Sequence, residues 1–156
     1  MAQREPVGVV LDSNLPTLYL IVTGSRGWTD RPSVWSPLTG LVRANPGRRI
    51  VVRNGKCKKG LDLLVSGWTD RAARLGVEEI PYETDWDRFG NGAGHVRNQV
   101  MVDAGADLLM AWAKPCRLNR RWCPEGPHAT HGTADCVGRA RAAGIPVFFS
   151  PLGMSW

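Results

Sequence analysis

The sequence predicts an α/β protein in which a mainly parallel sheet of about five strands lies between two layers of helices. Short apolar runs alternate from Leu18 onward with segments whose apolar residues recur at helical spacing, and this alternation is typical of βαβ units. Three of the turns between a run and the next helix are rich in glycine, as turns at the ligand edge of such sheets often are. A chain of 156 residues buries about two thirds of its unfolded surface in one core, so we expect a single domain.

The apolar runs are the predicted strands, and the segments between them are the predicted helices. The strands are Leu18–Val22, Ile50–Val52, Val77–Tyr82, Ala106–Trp112 and Ile145–Phe149. Each helix has a start or stop signal, which is a capping residue, an early proline or a final glycine. The first helix begins at Asp30 with Pro32 in its first turn, and the second has an apolar stripe from Leu61 to Leu75 before Gly76. The third covers Gly94–Ala104 before Gly105, and the fourth is capped by Thr133 and runs to Ala143 before Gly144. Pro37 is expected to kink the first helix or to delay its start.

Three segments lie outside this pattern. Residues 1–17 form an N-terminal extension that is either disordered or adds an edge strand through Val7–Leu11. The domain itself spans residues 18–149 and carries a Cys/His-rich insertion at 113–131. Residues 150–156 form a C-terminal tail.

The charge of the chain favours an anionic partner. Lysine and arginine together number 20 against 14 acidic residues, which gives a formal net charge of +6. The basic residues concentrate at 48–59 and 117–121 rather than in one long run, which fits a pocket and its rim better than a tail that wraps DNA. Single-stranded nucleic acid stays an alternative partner.

No apolar stretch approaches the roughly 20 residues that span a bilayer, and the N-terminus lacks the pattern of a secretory signal. We therefore expect a cytoplasmic protein with no membrane partner. In a reducing compartment its four cysteines are expected to be free thiols or metal ligands rather than disulfides.

The glycine- and lysine-rich turn over Asn54–Asp62 is the strongest candidate for an anion site. It follows a strand and opens a helix, so free N–H groups, a positive dipole end and lysine side chains coincide. Asp62 is expected to accept hydrogen bonds from ribose hydroxyls, or else to serve only as a partner of the helix dipole. The candidate ligand-binding residues in this turn are Gly55, Lys56, Lys58, Lys59, Gly60 and Asp62.

Other turns are expected at the same edge, because the carboxyl ends of parallel strands meet there. Arg97 opens the third helix, where its charge is poorly matched to the dipole, and this favours a bound anion. Ser25 and Arg26 suit ligand contact and ordinary turn chemistry equally well. Trp86 is expected either to stack on a base or to lie in the core. The candidates at these turns are Gly24, Ser25, Arg26, Arg97, Asn98, Gly132 and Thr133.

The Cys/His-rich insertion predicts a structural zinc site. Its irregular, proline-rich chain has little apolar content to hold it together, and zinc binds four cysteine or histidine side chains in a tetrahedron. The alternatives are a flexible basic loop with reduced thiols, and a His131 that faces the ligand beside Gly132. The candidate ligands are Cys116, Cys123 and His128, together with either His131 or Cys136.

An ordered set of motifs extends over most of the chain. The motifs are Thr23-Gly24-Ser25-Arg26, Asn54-Gly55 to Asp62, Asp85-Trp86, Gly94-His95-Val96-Arg97-Asn98 with Met101-Val102, Gly132-Thr133 and Gly144-Ile145-Pro146-Val147. Together they resemble the SLOG superfamily, and above all its YspA/cpYpsA-related, DUF2493-type branch from bacteria and their phages. The resemblance covers roughly residues 18–149. It implies a Rossmann-like three-layer sandwich that binds a nucleotide or nucleotide-derived ligand, as a sensor or a processing protein.

Relatives within this superfamily include the cytokinin-activating phosphoribohydrolases and the DNA-processing protein DprA. Arg97 with Met101 resembles a phosphoribohydrolase helix start whose arginine contacts the substrate, and Gly132-Thr133 resembles the phosphate loop of those enzymes. Cys136 stands where they have a catalytic glutamate, and a thiol does not replace a carboxylate acid and base in N-glycoside cleavage. The resemblance thus implies binding, with an N-glycosidase acting on nucleoside monophosphates as the alternative. It also implies a homodimer formed through helices.

Overall fold

The computed structural model of the protein describes residues 9–150, without the side chains of residues 149 and 150. Its centre is a five-stranded parallel sheet with the spatial order β3-β2-β1-β4-β5. The strands are β1 (Leu18–Gly24), β2 (Ile50–Asn54), β3 (Val77–Pro81), β4 (Leu108–Trp112) and β5 (Val147–Ser150). The helices are α1 (Arg31–Ala44), α2 (Leu61–Ala72), α3 (Trp86–Phe89), α4 (Ala93–Asp103) and α5 (His131–Ala142).

Helices cover both faces of the sheet, so the predicted three-layer α/β fold is confirmed. Alternate residues of β1 point into two separate apolar cores, as the pleat of a strand requires. Leu20 and Val22 belong to the core under α1 and α2, whereas Ile21 belongs to the core under α4 and α5. β1 therefore lies at the centre of the sheet, with one layer of helices on each side of it.

The five predicted strands are present, but two of them start later than predicted. β4 begins at Leu108 rather than Ala106, and β5 begins at Val147 rather than Ile145. The Ile145 N–H still donates to the Ala140 carbonyl at 2.9 Å, which ties this residue to the end of α5 instead of the sheet.

The starts of the helices test the predicted caps. Asp30 caps α1 as predicted, because its carboxylate accepts from the Ser33 N–H at 3.2 Å. Pro37 does not delay α1, which already begins at Arg31. The predicted cap Thr133 is wrong by three residues: α5 begins at His131, with Thr130 as its N-cap, and the Thr130 carbonyl accepts from the Ala134 N–H.

Two other segments differ from expectation. The short helix α3 was not predicted from the sequence, and Asp85 caps it by accepting from the Arg88 N–H at 3.0 Å. The possible edge strand through Val7–Leu11 is absent over residues 9–11, and its first two residues lie outside the described range. Residues 1–8 of the predicted extension and 151–156 of the predicted tail also lie outside that range.

Candidate ligand site and metal centre

The strand order reverses between β1 and β4, and a ligand crevice is expected at the carboxyl ends of these two strands. From β1 the chain moves outward to β2 and β3, and it then crosses back to β4 on the other side of β1. Ligands of open α/β sheets bind at such a reversal of strand order. The turn after β1, the segment after β4 and the start of α5 meet at this point.

Ser25 joins these segments directly. The residue is 4% exposed, and its hydroxyl accepts from the Lys114 N–H at 2.8 Å and shares a 2.7 Å hydrogen bond with the Thr130 hydroxyl. Its carbonyl accepts from the Leu61 N–H at the start of α2. Ser25 therefore holds the turns of the site together, through partners that are distant in sequence.

Two of the candidate glycines are required by close packing of backbone. A side chain at Gly60, whose φ is +68°, would overlap the backbone of Arg26. A side chain at Gly24 would overlap the Trp112 carbonyl and Leu61. These glycines let the turns after β1 and β2 touch each other and the end of β4, which explains why the turns converge as predicted.

Three groups of backbone N–H donors are left free where the turns meet. Within residues 9–150, no hydrogen bond is donated by the first two amides of α5, by two amides after β1 or by three amides before α2. These amides belong to Arg26, Gly27, Lys58, Lys59, Gly60, His131 and Gly132. Free amides at helix starts and in glycine turns are suited to binding an anion.

A buried acid and an arginine lie beside Gly55. A Cβ atom at Gly55 would overlap the Arg97 guanidinium and lie 2.9 Å from the Asp62 carboxylate, so both groups border one point. Asp62 is 8% exposed and accepts from the Cys57 N–H at 3.1 Å. Burial raises the pKa of Asp62, although the Cys57 amide and the charges of Arg97 and Arg26 oppose that shift.

Trp86 lies at the rim of this site and not in the core. Its side chain is 48% exposed, and the Arg26 guanidinium lies 5.6 Å from the centre of its ring. Helix α3, which carries Trp86, thus places an aromatic surface next to one of the free-amide turns. Of the two interpretations of this tryptophan, the core position is wrong.

The three lysines of the Asn54–Asp62 turn have different surroundings. The Lys56 ammonium lies 2.6 Å from the Glu79 carboxylate, which also accepts from Asn54 and Ser66. Burial raises the pKa of Glu79, but those hydrogen bonds outweigh it and hold the pKa below its usual range. Lys58 and Lys59 are exposed, and no described group pairs with either. Lys56 thus stabilises its own turn, whereas the other two side chains are available.

Asn98 links the middle of α4 to the start of α5. It is 2% exposed, and its amide group donates to the Gly132 carbonyl at 3.2 Å and to the Asp135 carboxylate at 2.9 Å. Asp135 also accepts from Arg139 and His95. Burial raises the pKa of Asp135, but these hydrogen bonds prevail and keep it below its usual range.

Thr133 and Cys136 both face the protein interior. Thr133 is 3% exposed, and its hydroxyl lies 3.3 Å from the Thr130 hydroxyl. Cys136 is fully buried in the core under α4 and α5, and burial raises the pKa of its thiol to about 12. A thiol with that pKa is neutral, so Cys136 is neither a nucleophile nor a thiolate ligand at neutral pH.

The structure brings four of the five candidate metal ligands together and leaves Cys136 apart. The ligand atoms of Cys116, Cys123, His128 and His131 all lie within 4.8 Å of one another. His131 Nε2 is 3.4 Å from Cys116 Sγ, 3.5 Å from Cys123 Sγ and 3.3 Å from His128 Nε2. Around a tetrahedral zinc ion, such separations are about 3.3 Å between nitrogens and about 3.6 Å between nitrogen and sulfur.

Local backbone structure positions these ligands. An antiparallel bridge pairs Pro115 with Ala129, and the Cys116 N–H donates to the His128 carbonyl at 2.7 Å. Backbone N–H groups of Leu118 and Arg120 donate to the two sulfur atoms. His128 Nδ1 lies 3.0 Å from the Gly126 carbonyl, which directs Nε2 toward the cluster, as second-sphere partners of metal-binding histidines do.

None of the helices within residues 9–150 combines the length and apolar character that a bilayer span requires.

The family model for the YspA, cpYpsA-related SLOG family matches residues 19–89. The chain is 34% identical over 130 residues to the Gene 61 protein of Mycobacterium phage D29, a match that covers 82% of this chain and 92% of that protein. No solved structure matches the chain significantly. The chain belongs to the YspA, cpYpsA-related SLOG family.

Proposed function

We propose that this protein binds a nucleotide or nucleotide-derived ligand at the carboxyl edge of its sheet. The observation that carries the proposal is that seven backbone amides without a hydrogen-bond partner belong to three turns, which contact one another through Ser25 and Gly60. Membership of a SLOG family supports a nucleotide-related ligand, and the phage homologue fits a sensor or processing protein in a phage or bacterial setting.

Each part of a nucleotide has a suitable partner at this edge. The free amides around Gly60 and Gly132, with the Lys58 and Lys59 side chains, are suited to phosphate oxygens. Arg97 supplies a second positive group beside Gly55. Asp62 would accept from ribose hydroxyls, and the exposed ring of Trp86 offers a stacking surface for a base. Lys56 has a smaller role in this proposal because Glu79 holds its ammonium.

Binding fits the site better than N-glycoside hydrolysis. The position of the phosphoribohydrolase glutamate holds the buried, neutral thiol of Cys136. The neighbouring Asp135 is engaged by three other side chains and has a lowered pKa, which makes it a poor general acid. Release of free base from AMP by the purified protein would reverse this preference.

The proposal is tested by a thermal-shift screen against nucleoside mono-, di- and triphosphates, cyclic nucleotides and NAD derivatives. We expect at least one of these to raise the transition temperature in a saturable way, and Arg97→Ala to abolish the rise. Arg43→Ala is the matched control. Arg43 is an exposed arginine in the last turn of α1, at the end of that helix that lies away from the turn after β1. A full panel without a saturable shift, or equal loss in both variants, would contradict the proposal.

We also propose that Cys116, Cys123, His128 and His131 bind a structural zinc ion. Two sulfur and two nitrogen ligands with the spacing described above suit tetrahedral zinc, and a closed set of four protein ligands is typical of structural sites. Metal analysis of protein purified without added chelator should give one zinc per chain. The tetrahedral absorption spectrum of the Co²⁺-substituted protein should be lost in Cys116→Ser and kept in Cys57→Ser, since Cys57 lies outside the cluster.

The predicted homodimer stays a prediction, which the sedimentation coefficient of the purified protein would test.

A further inference from the structure

The insertion exposes an aromatic and an aliphatic side chain that the ligand site does not use. Trp122 is 63% exposed and Leu118 is 58% exposed. Trp122 is nevertheless held in place, because its ring lies 4.7 Å from the ring of His131, centre to centre. A tryptophan that is anchored on one side and open to solvent on the other is a preformed stacking surface.

Three exposed arginines lie within five residues of this tryptophan in the sequence. Arg117, Arg120 and Arg121 are exposed, and within residues 9–150 their side chains form no ion pair or hydrogen bond. Two other arginines of the protein are engaged, since Arg49 pairs with Glu78 and Arg139 with Asp135. Residues 113–131 contain four basic side chains and one acidic side chain, so the positive charge of this surface is not neutralised locally.

We propose that this surface, Arg117–Trp122, binds single-stranded nucleic acid. Proteins that bind single strands without sequence preference combine basic side chains along the backbone with aromatic rings on which bases stack. Unpaired arginines supply the first element here, and the open face of Trp122 supplies the second. The inference goes beyond the proposed nucleotide site, since it uses none of the side chains assigned there.

The surface favours a single strand over two other anionic partners. An indole stacks on an unpaired base, whereas the bases of a duplex are already stacked on each other. Stable membrane binding needs a broad apolar face or a lipid anchor, and one indole with one leucine gives neither. Duplex DNA and anionic vesicles therefore serve as competing outcomes in the test.

The test is fluorescence anisotropy of a labelled oligo(dT) of about 12 nucleotides, titrated with the zinc-loaded full-length chain at several salt concentrations. We expect Trp122→Ala to weaken binding about 5- to 150-fold and Trp122→Phe to retain most of it. Arg120→Ala/Arg121→Ala should reduce the slope of log K against log salt by about 1.4. The control, Arg43→Ala/Arg74→Ala, removes two exposed arginines at helix ends on the amino side of the sheet and should change neither quantity appreciably.

Several results would overturn the inference. These are no binding of oligo(dT), equal affinity for a duplex of the same length, equal losses in the two double variants, or a Trp122→Ala variant that keeps both zinc and full affinity. Tighter binding to phosphatidylcholine–phosphatidylserine vesicles than to oligo(dT) would assign the surface to membranes instead. Failure here is distinguishable from failure of the nucleotide proposal, because the thermal shift caused by a mononucleotide should persist in Trp122→Ala.

Discussion

Substitution of Gly132 by alanine separates the stability of α5 from its proposed role in binding. Gly132 is the second residue of this helix, it is exposed, and a Cβ atom there would meet nothing within 4 Å. Glycine costs a helix interior about 0.5–1 kcal/mol relative to alanine, and less in the first turn. We therefore expect Gly132→Ala to raise the free energy of unfolding by about 0.5 kcal/mol and the transition temperature by about 1–2 °C.

The same methyl group should weaken binding, because a phosphate that accepts from the Gly132 N–H must approach this backbone closely. Crowding of about 1–3 kcal/mol corresponds to a loss of about 5- to 150-fold in affinity. The affinity is measured by calorimetric titration with the nucleotide that gives the largest shift in the screen. A stabilising substitution that lowers affinity is the signature of a residue kept for binding.

Gly138→Ala is the matched control on the same helix. Gly138 is also exposed, with open space around its Cβ position. Unlike Gly132 it is not at the start of α5, and it borders the groove between α4 and α5 with Gln99 and Arg139. We expect it to raise the transition temperature by about 2–4 °C with no change in affinity. If Gly132→Ala stabilises the protein and leaves affinity unchanged, the phosphate does not bind at the start of α5, and that part of the reasoning is refuted.

Three further predictions concern the metal centre and two carboxylates. Cys116→Ser should lower the transition temperature by about 5–11 °C at a zinc concentration 100 times the wild-type Kd, whereas Cys57→Ser should change it little in the same melting assay. Asp135 has a lowered pKa in the folded protein, so its stabilisation is present above its unfolded pKa and is lost as pH falls through the folded pKa. Asp135→Asn should accordingly be less stable at neutral pH and less sensitive to acid, and denaturant titrations across that pH range would contradict this if the two curves ran parallel. Asp62 has a raised pKa, so its stabilisation is present below its unfolded pKa and is lost as pH rises through the folded value. Asp62→Asn should therefore be the more stable protein at neutral pH and the weaker nucleotide binder, and unchanged affinity would remove Asp62 from the site.

The strands and most helices could be predicted because their signals are local. An apolar run, a capping Asp30 and a final glycine each act within a few residues of the element they define. The start of α5 could not be chosen in this way, because Thr130 and Thr133 are both acceptable caps. In the structure the side chain of Thr130 makes a tertiary contact, the hydrogen bond to Ser25, that no local pattern indicates.

The contact between the turns at one edge of the sheet was predicted, but the structural contacts of the individual residues there were not. Lys56 and Asn98 were assigned to a ligand, and Ser25 either to a ligand or to turn chemistry, yet each is engaged by a side chain far away in sequence. Their partners Thr130, Glu79 and Asp135 are 105, 23 and 37 residues distant, respectively. No local pattern encodes such a partner, so sequence alone cannot tell a residue that contacts ligand from one that holds the contacting turns in place.

For the Cys/His cluster, a local rule could have answered the question that the sequence analysis left open. Helix geometry distinguishes His131 from Cys136 as the fourth candidate ligand. His131 and Cys136 are both in α5, five residues apart. Five residues turn a helix by about 500°, so the two side chains point roughly 140° apart. One of them faces the insertion and the other faces the sheet. The sequence did not resolve this because the predicted helix began at Thr133, which left His131 outside it.

The metal cluster and the proposed nucleotide site share one short piece of backbone. Ala129 pairs with Pro115 in the insertion, Thr130 bonds to Ser25 in the turn after β1, and His131 is both a cluster residue and the first free amide of α5. An ion that fixes His131 therefore also fixes the amides at the helix start relative to Ser25. Such an ion would favour ligand binding by preorganisation, because the amides proposed to bind phosphate would already be ordered before the ligand arrives. The proposed zinc ion would thus support the proposed ligand site without touching the ligand.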